Sequence, residues 1–356
     1  VSGHDNLART WGRYGERKSP RTSNLYRHIA TRISASPEAL RAIATLPYRK
    51  RNPQLVLAAL HYLVLSGEGY SAFTESDPDE AARAAIDMLT GKTNALLDIV
   101  SQRHLFAGES RCFGVLYPAI AEAVNLTGAT AVGLIDAGSE AGLNLNVDRI
   151  GITHSTGQRA GDPESPVQVA CSLVGNNPVP EQTIAEVVSR IVTGTTLLDV
   201  TRSEDIRWML ASIPPDQPER AARLAAEINL AATNPPALMQ GDAIDLLPDA
   251  IAAVPEDALP VVLTTWMLSG VRPERRDRLP ELLQTTARKR KVAWLSIEGV
   301  GVAPSIPTLG DRPASGHSIV GLTLFKGTTR HVEAIGRCWL RGEMLEWRPE
   351  EGASAG

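Results

Sequence analysis

The sequence predicts an α/β protein: a Rossmann-like, mostly parallel sheet, preceded by an all-helical amino-terminal region and carrying an inserted hairpin. Three observations predict it. As far as Thr127 the signals are helical, with capping residues ahead of apolar segments. At Ala131-Val132-Gly133-Leu134-Ile135 the pattern becomes a short continuous apolar run that stops at Asp136-Ala137-Gly138, as expected of a strand buried on both faces. From there strand-like runs alternate with helical patterns, ending in two strands with no helix between them.

Residues 1–22 are polar and Arg-rich and read as a flexible tail; 23–127 form the helical region. Ser36-Pro37-Glu38 supplies an N-cap, a proline at the first helical position and an acid in the first turn. Leu55, Leu57, Leu60, Leu63, Val64 and Leu65 follow Pro53 and read as a buried helix. An alanine-rich helix runs from Asp77 to Leu89, and Asn94 to Gln102 and Pro118 to Val124 continue the pattern. The α/β domain spans 128–349, with 350–356 a second tail.

Within it, 151–180 is rich in Gly, Pro, Ser and Asn. It reads as a hairpin of Ile152-Thr153-His154 against Val167-Gln168-Val169, a lid beside the ligand crevice or a surface decoration. Gly194 to Val200 is a weaker strand, and Pro218 to Ala232 a helix. Ala237-Leu238-Met239-Gln240 leads into Gly241-Asp242 and a helix from Ile244 to Ala253. Pro260 to Trp266 is a strand, Pro273 to Arg290 a helix and Val292 to Ile297 a strand. Ile319 to Phe325 and Val332 to Leu340 are the closing pair.

Composition narrows the function. The 356 residues are 43% hydrophobic and 21% charged with a net charge of −4, which argues against the broad positive footprint of a non-specific nucleic-acid binder. The densest basic run, Arg288-Lys289-Arg290-Lys291, falls where a helix ends, and cations there complement the helix dipole. Cys112, Cys171 and Cys338 are far apart, and no Cys or His pair has metal-ligand spacing, so no metal is expected. No apolar run approaches the ~20 residues of a membrane helix, and the amino terminus has no apolar signal core. A cytoplasmic protein with a small-molecule ligand is the expectation; the oligomeric state is not legible.

The ligand site is expected where the first strand ends, at Asp136-Ala137-Gly138-Ser139-Glu140-Ala141-Gly142. Gly138 allows a sharp turn and close approach of a ligand, and a following helix would offer free N–H groups. Asp136 suits a ligand carrying an ammonium group better than a pyrophosphate. The dinucleotide fingerprint is absent, since Glu140 stands at its second glycine. S-adenosylmethionine fits these features better than a nicotinamide cofactor. Asp242, in Gly241-Asp242-Ala243, is placed to accept from an adenine amino group, or else merely caps a helix. Thr264, Thr265 and Trp266 end the Pro260 strand and face the crevice if the strand stops there. Ser139, Gly142, Asn144, Ala243 and Thr264 complete the expected binding set. Glu140 and Glu298 are the candidate bases, should one be needed.

Two other motifs fail on context. Thr90-Gly91-Lys92-Thr93 lacks the first glycine of a phosphate loop and a preceding strand; Gly316-His317-Ser318 lacks the closing glycine of a nucleophile elbow.

From about Asn24 to Trp347 the chain resembles the bacterial family named domain of unknown function 2332. The resemblance rests on Arg51-Asn52-Pro53 with Ala59-Leu60-His61-Tyr62-Leu63, Arg111-Cys112, Ala141-Gly142-Leu143-Asn144-Leu145 and Asp148-Arg149. It continues through Asp199-Val200-Thr201, Arg207-Trp208, Asp216-Gln217 with Glu219-Arg220, Gly241-Asp242-Ala243, and Trp266 with Arg275. It implies a helical part followed by a methyltransferase-like Rossmann domain, and no established activity. Against that family's pattern, Asp136 replaces a Glu and Ser139-Glu140 replaces Ala-Ser. Gly194-Thr195-Thr196-Leu197 stands where an acid able to hold a ribose is usual, Thr264 replaces a His, and Gly270 a Tyr. The expectation is a S-adenosylmethionine-dependent methyltransferase acting on a small molecule; the alternative is a non-catalytic nucleoside-binding or interaction protein on the same scaffold.

Overall fold

The computed structural model describes residues 3–17, 22–75, 77–107, 112–181 and 183–348. In chain order these form α1 (Gly3–Gly15), α2 (Asn24–Ser34), α3 (Pro37–Ala44), α4 (Pro53–Leu65), α5 (Pro78–Gly91), α6 (Thr93–Gln102) and α7 (Phe113–Thr127). Next come β1 (Ala131–Ala137), β2 (Gly151–His154), β3 (Arg159–Gly161), β4 (Gln168–Leu173) and β5 (Glu186–Gly194). Then follow α8 (Ser203–Ala211), α9 (Pro218–Ala232), β6 (Ala237–Gln240), α10 (Leu247–Ala253), β7 (Leu259–Thr265), α11 (Pro273–Arg276) and α12 (Leu279–Thr286). The chain closes with β8 (Val292–Gly299), β9 (Ser318–Lys326), β10 (Thr329–Trp339) and β11 (Met344–Trp347).

Two units emerge: Val1–Ala107 with Val200–Ile228, and Gly108–Asp199 with Asn229–Gly356. In the first, the described residues are helical, and side chains cap the helix starts. Ser23 accepts from Tyr26 N, Ser36 from Ala39 N, Asn52 from Gln54 N, and Asp77 from Asp79 N. One expectation is corrected here. Gly3–Gly15 is a helix, not a tail, because Leu7, Trp11 and Tyr14 recur at helical spacing and are all buried, Trp11 completely. A stripe of three apolar residues among polar ones is easily read as no stripe. The predicted tail at 350–356 lies outside the described residues.

The second unit is mixed α/β around an eleven-stranded, mostly parallel sheet in the order β3-β2-β4-β11-β10-β9-β8-β7-β1-β5-β6. Strands β6, β5, β1, β7 and β8 are mutually parallel; β9 is antiparallel to β8, and β10 to β9. The chain moves from β1 outward to β5 and β6, then returns to β7 on β1's other side. That reversal opens a crevice at the strands' carboxyl ends. On one face Ile135, Val262 and Trp294 pack with Leu247 and Ile251 of α10 and Leu283 of α12. Helix α7 lies against β2, β4, β8 and β9.

The insertion departs from the predicted hairpin. Ile152 does pair with Val169, but in parallel, because a tight turn at Gly157 (φ +87°) first returns the chain as β3, antiparallel to β2. Strand β4 also pairs with β11, so the insertion extends the sheet, with β11, β10, β9, β8 and β7 between it and β1. It is no lid over the end of β1. The second strand of the parallel set is also earlier than expected: β5 ends at Gly194, where the predicted strand begins. Ser189 and Arg190 interrupt its apolar run; Arg190 is nevertheless buried, its charge met by Asp148 at 2.5 Å.

The basic run serves helix ends. Arg290 donates to Val254 O at 2.8 Å and Pro255 O at 2.5 Å, just beyond α10, and Lys291 donates to Thr127 O at 2.9 Å, the last residue of α7. Among the described residues no helix is long and apolar enough to cross a membrane, and no cluster of three or more His, Cys, Asp or Glu could hold a metal ion.

Candidate functional site

The carboxyl ends of β1, β5 and β6 are laced together by backbone. Gly138 N donates to Thr193 O at 2.7 Å, Leu198 N to Glu140 O at 2.7 Å, and Gly241 N to Gly194 O at 2.9 Å. Gly138 adopts φ +79° and Gly142 φ +63°, conformations that glycine reaches without strain. Ser139 Oγ accepts from Gly142 N at 3.0 Å and closes the turn. The chain then enters a kinked 3-10 segment, Leu143–Arg149, in place of the expected α-helix. The anion-attracting helix terminus predicted after β1 is therefore missing from this turn.

These ends enclose a cleft of about 360 Å³. Its walls are Gly138, Ser139 and Glu140 after β1, Gly194, Thr195 and Thr196 after β5, Asp242, Ala243 and Ile244 after β6, and Met267 with Gly270 and Val271 after β7. Five predicted site residues thus meet: Gly138, Ser139, Glu140, Asp242 and Ala243. Asp242 Oδ1 accepts from Ile244 N, Asp245 N and Arg275 Nη2, the last at 2.7 Å; no described residue bonds its Oδ2.

The other five lie behind the walls. Asp136 is fully buried and neither carboxylate oxygen has a hydrogen-bond partner. Burial pushes its carboxyl up to about 7; Ser139 and Asn144 nearby pull it back only in part, since neither reaches hydrogen-bonding geometry. Asn144 receives the Cys112 thiol at 3.3 Å and donates to Thr265 Oγ1 at 3.4 Å. Gly142 packs so closely that a Cβ there would meet Val192 Cγ2 at 2.3 Å. Thr264, 1% exposed, accepts from Trp294 Nε1 at 3.0 Å. Glu298 is also 1% exposed; its Oε1 accepts from Met267 N at 3.1 Å and Leu268 N at 3.0 Å, while Oε2 has no partner. Burial pushes the Glu298 carboxyl up to about 7, against the pull of those two N–H groups. It anchors the turn that carries Met267, one wall of the cleft. Trp266 adopts φ 56° at the start of that turn and donates to Ser318 Oγ at 2.8 Å, away from the lining.

Sequence reasoning passes over Ile244, Met267 and Val271 as lining residues, and takes Thr195 and Thr196 only as standing where the resembled family has an acid. The two threonines look like strand interior when the strand is begun at Gly194. Met267 and Val271 follow a strand whose end only the Trp266 backbone reveals.

Comparison with curated proteins returned no match, and comparison with solved structures returned none either. The family model described as "Uncharacterized protein conserved in bacteria (DUF2332)" matches residues 8–347. With the match running from α1 to the end of β11, the chain belongs to that family.

Proposed function

We propose that the cleft binds S-adenosylmethionine on a Rossmann-like, methyltransferase-like domain, for methyl transfer to a small molecule. The carrying observation is the lining: two carboxylates, Glu140 and Asp242, line the cleft and no lysine or arginine does, Arg275 meeting Asp242 at 2.7 Å from outside it. Such a lining gives a pyrophosphate no cation to meet and gives carboxylate acceptors to a ligand bearing sulfonium and ammonium groups. A volume of about 360 Å³ falls at the lower end of the ~300–1,000 Å³ of small-molecule sites. Glu140, rather than Asp136, would face the ammonium. Thr195 and Thr196 would take the ribose hydroxyls where the family pattern has an acid, and Asp242 Oδ2 would accept from the adenine amino group. The donor when bound supplies an already activated methyl group. The chain's own task is then to hold the acceptor in line and keep water out. If a proton must be removed, Glu140 is the candidate base that reaches the cleft, because Glu298 is committed to the Met267–Leu268 turn.

Isothermal titration with S-adenosylmethionine and its demethylated product tests the reading. Binding that weakens in Asp242→Asn and in Gly138→Ala is expected. No heat and no melting shift from either ligand at millimolar concentration would sink it. A non-catalytic nucleoside-binding reading on the same scaffold is favoured by the burial of Asp136, Thr264 and Glu298, which leaves few reactive groups in the cleft. Donor-dependent methyl transfer to any acceptor in a cell extract would remove it.

A further inference from the structure

The first unit holds a second cleft, of about 350 Å³, with the opposite electrostatic character. Arg17, Arg49 and Arg51 line it together with Tyr14, Tyr48 and the start of α4 at Asn52, and no acidic residue does. None of the three arginines forms an ion pair among the described residues. Arg51 is held in place by bonds from Nε to Leu46 O at 2.8 Å and from Nη2 to Ala44 O at 2.7 Å, and lies 5.8 Å from the Tyr48 ring centre.

Three further observations point to a ligand. Tyr14 borders the cleft and its hydroxyl bonds to no described residue, which leaves a donor available beside the arginines. Tyr48 is 78% exposed, the most exposed of the large hydrophobic side chains described, and presents a bare ring beside cations. Finally, residues 1–51 hold eleven Lys and Arg against three Asp and Glu, while the whole chain carries −4. Such asymmetry within one chain marks a polyanion-facing segment.

We infer that this cleft binds a nucleoside phosphate, with the base stacked on Tyr48 and the phosphate among Arg17, Arg49 and Arg51. The phosphate can belong to a free nucleotide or to one residue of a single strand, and the chemistry of recognition is shared. The reading is independent of the methyl-donor cleft.

The full chain is titrated with AMP by calorimetry, and with a labelled single-stranded RNA of about twelve nucleotides by anisotropy, at about 50 and 200 mM salt. Tyr48→Ala is expected to weaken binding on the order of tenfold, through lost stacking. Arg49→Glu is expected to weaken it at least as much and to flatten the salt dependence. Both side chains are exposed, so the melting temperature should hold. Asp242→Asn should bind like wild type, which separates this cleft from the other. Binding of AMP identifies a free nucleotide; binding of the strand alone identifies a strand residue; either supports the inference. It is overturned if neither ligand binds, if binding survives both substitutions, or if inorganic pyrophosphate competes as well as AMP.

Discussion

Asp136 and Glu298 are buried carboxyls that burial raises to about 7 from ordinary values of 3.8 and 4.5. Each is therefore more protonated in the folded chain than in the unfolded one between its two pKa values. The stability they contribute is full below about pH 4 and is lost as pH rises to about 7, by up to ~1.4 kcal/mol per pH unit and group. Asp136→Asn removes one of these groups at nearly constant volume. Denaturant melts of wild type and variant should diverge with pH, the variant gaining on wild type at pH 8 relative to pH 5; a pH-independent difference would overturn the assignment. Glu298→Ala should cost about 3 kcal/mol, since it strands the buried N–H groups of Met267 and Leu268. Sequence alone revealed that Asp136 ends a strand, but not that its side chain points away from the cleft. Side-chain direction at a strand's end depends on which face the helices cover, and no single strand carries that information.

At the scale of elements, helix caps and the strands buried on both faces are the legible part. Ser36-Pro37, Asn52-Pro53 and Asp77-Pro78 open α3, α4 and α5 through local chemistry alone. The runs at β1, β7 and β8 are apolar on both faces, and so identify themselves. Strand β5 does not show as an apolar run because Arg190 sits buried in it, paired with a residue 42 positions away. The insertion's direction was illegible because parallel and antiparallel pairing share one apolar pattern. The basic run after α12 gives a prediction at this scale. Arg290→Ala should release the carbonyls beyond α10 and destabilise the second unit by about 2 kcal/mol, read as a lower midpoint in urea. Unchanged stability would mean that water replaces the guanidinium there at no cost.

Over the whole molecule, the two clefts divide the charge: acidic at the sheet's carboxyl ends, basic beside α4. A net charge of −4 hides this division, which is why overall composition argued against a nucleic-acid partner. Retention on an immobilised polyanion at pH 7 and low salt, lost in Arg49→Glu, is the expected behaviour of the intact chain. The sheet carries a different consequence, one of timing. Strand β4 reaches the parallel core only through β11, the last strand of the described chain. During synthesis β2, β3 and β4 leave the ribosome some 170 residues before that partner does. Until Met344–Trp347 emerges they have neighbours only among themselves in the ladder, with the end of β4 at Ser172 and Leu173 unpaired. A nascent chain arrested before Met344 should therefore show fast amide exchange at Ser172 and Val174, which donate to Glu343 O and Leu345 O, and affinity for chaperones that bind open strands, both vanishing once the final four residues of the sheet are released.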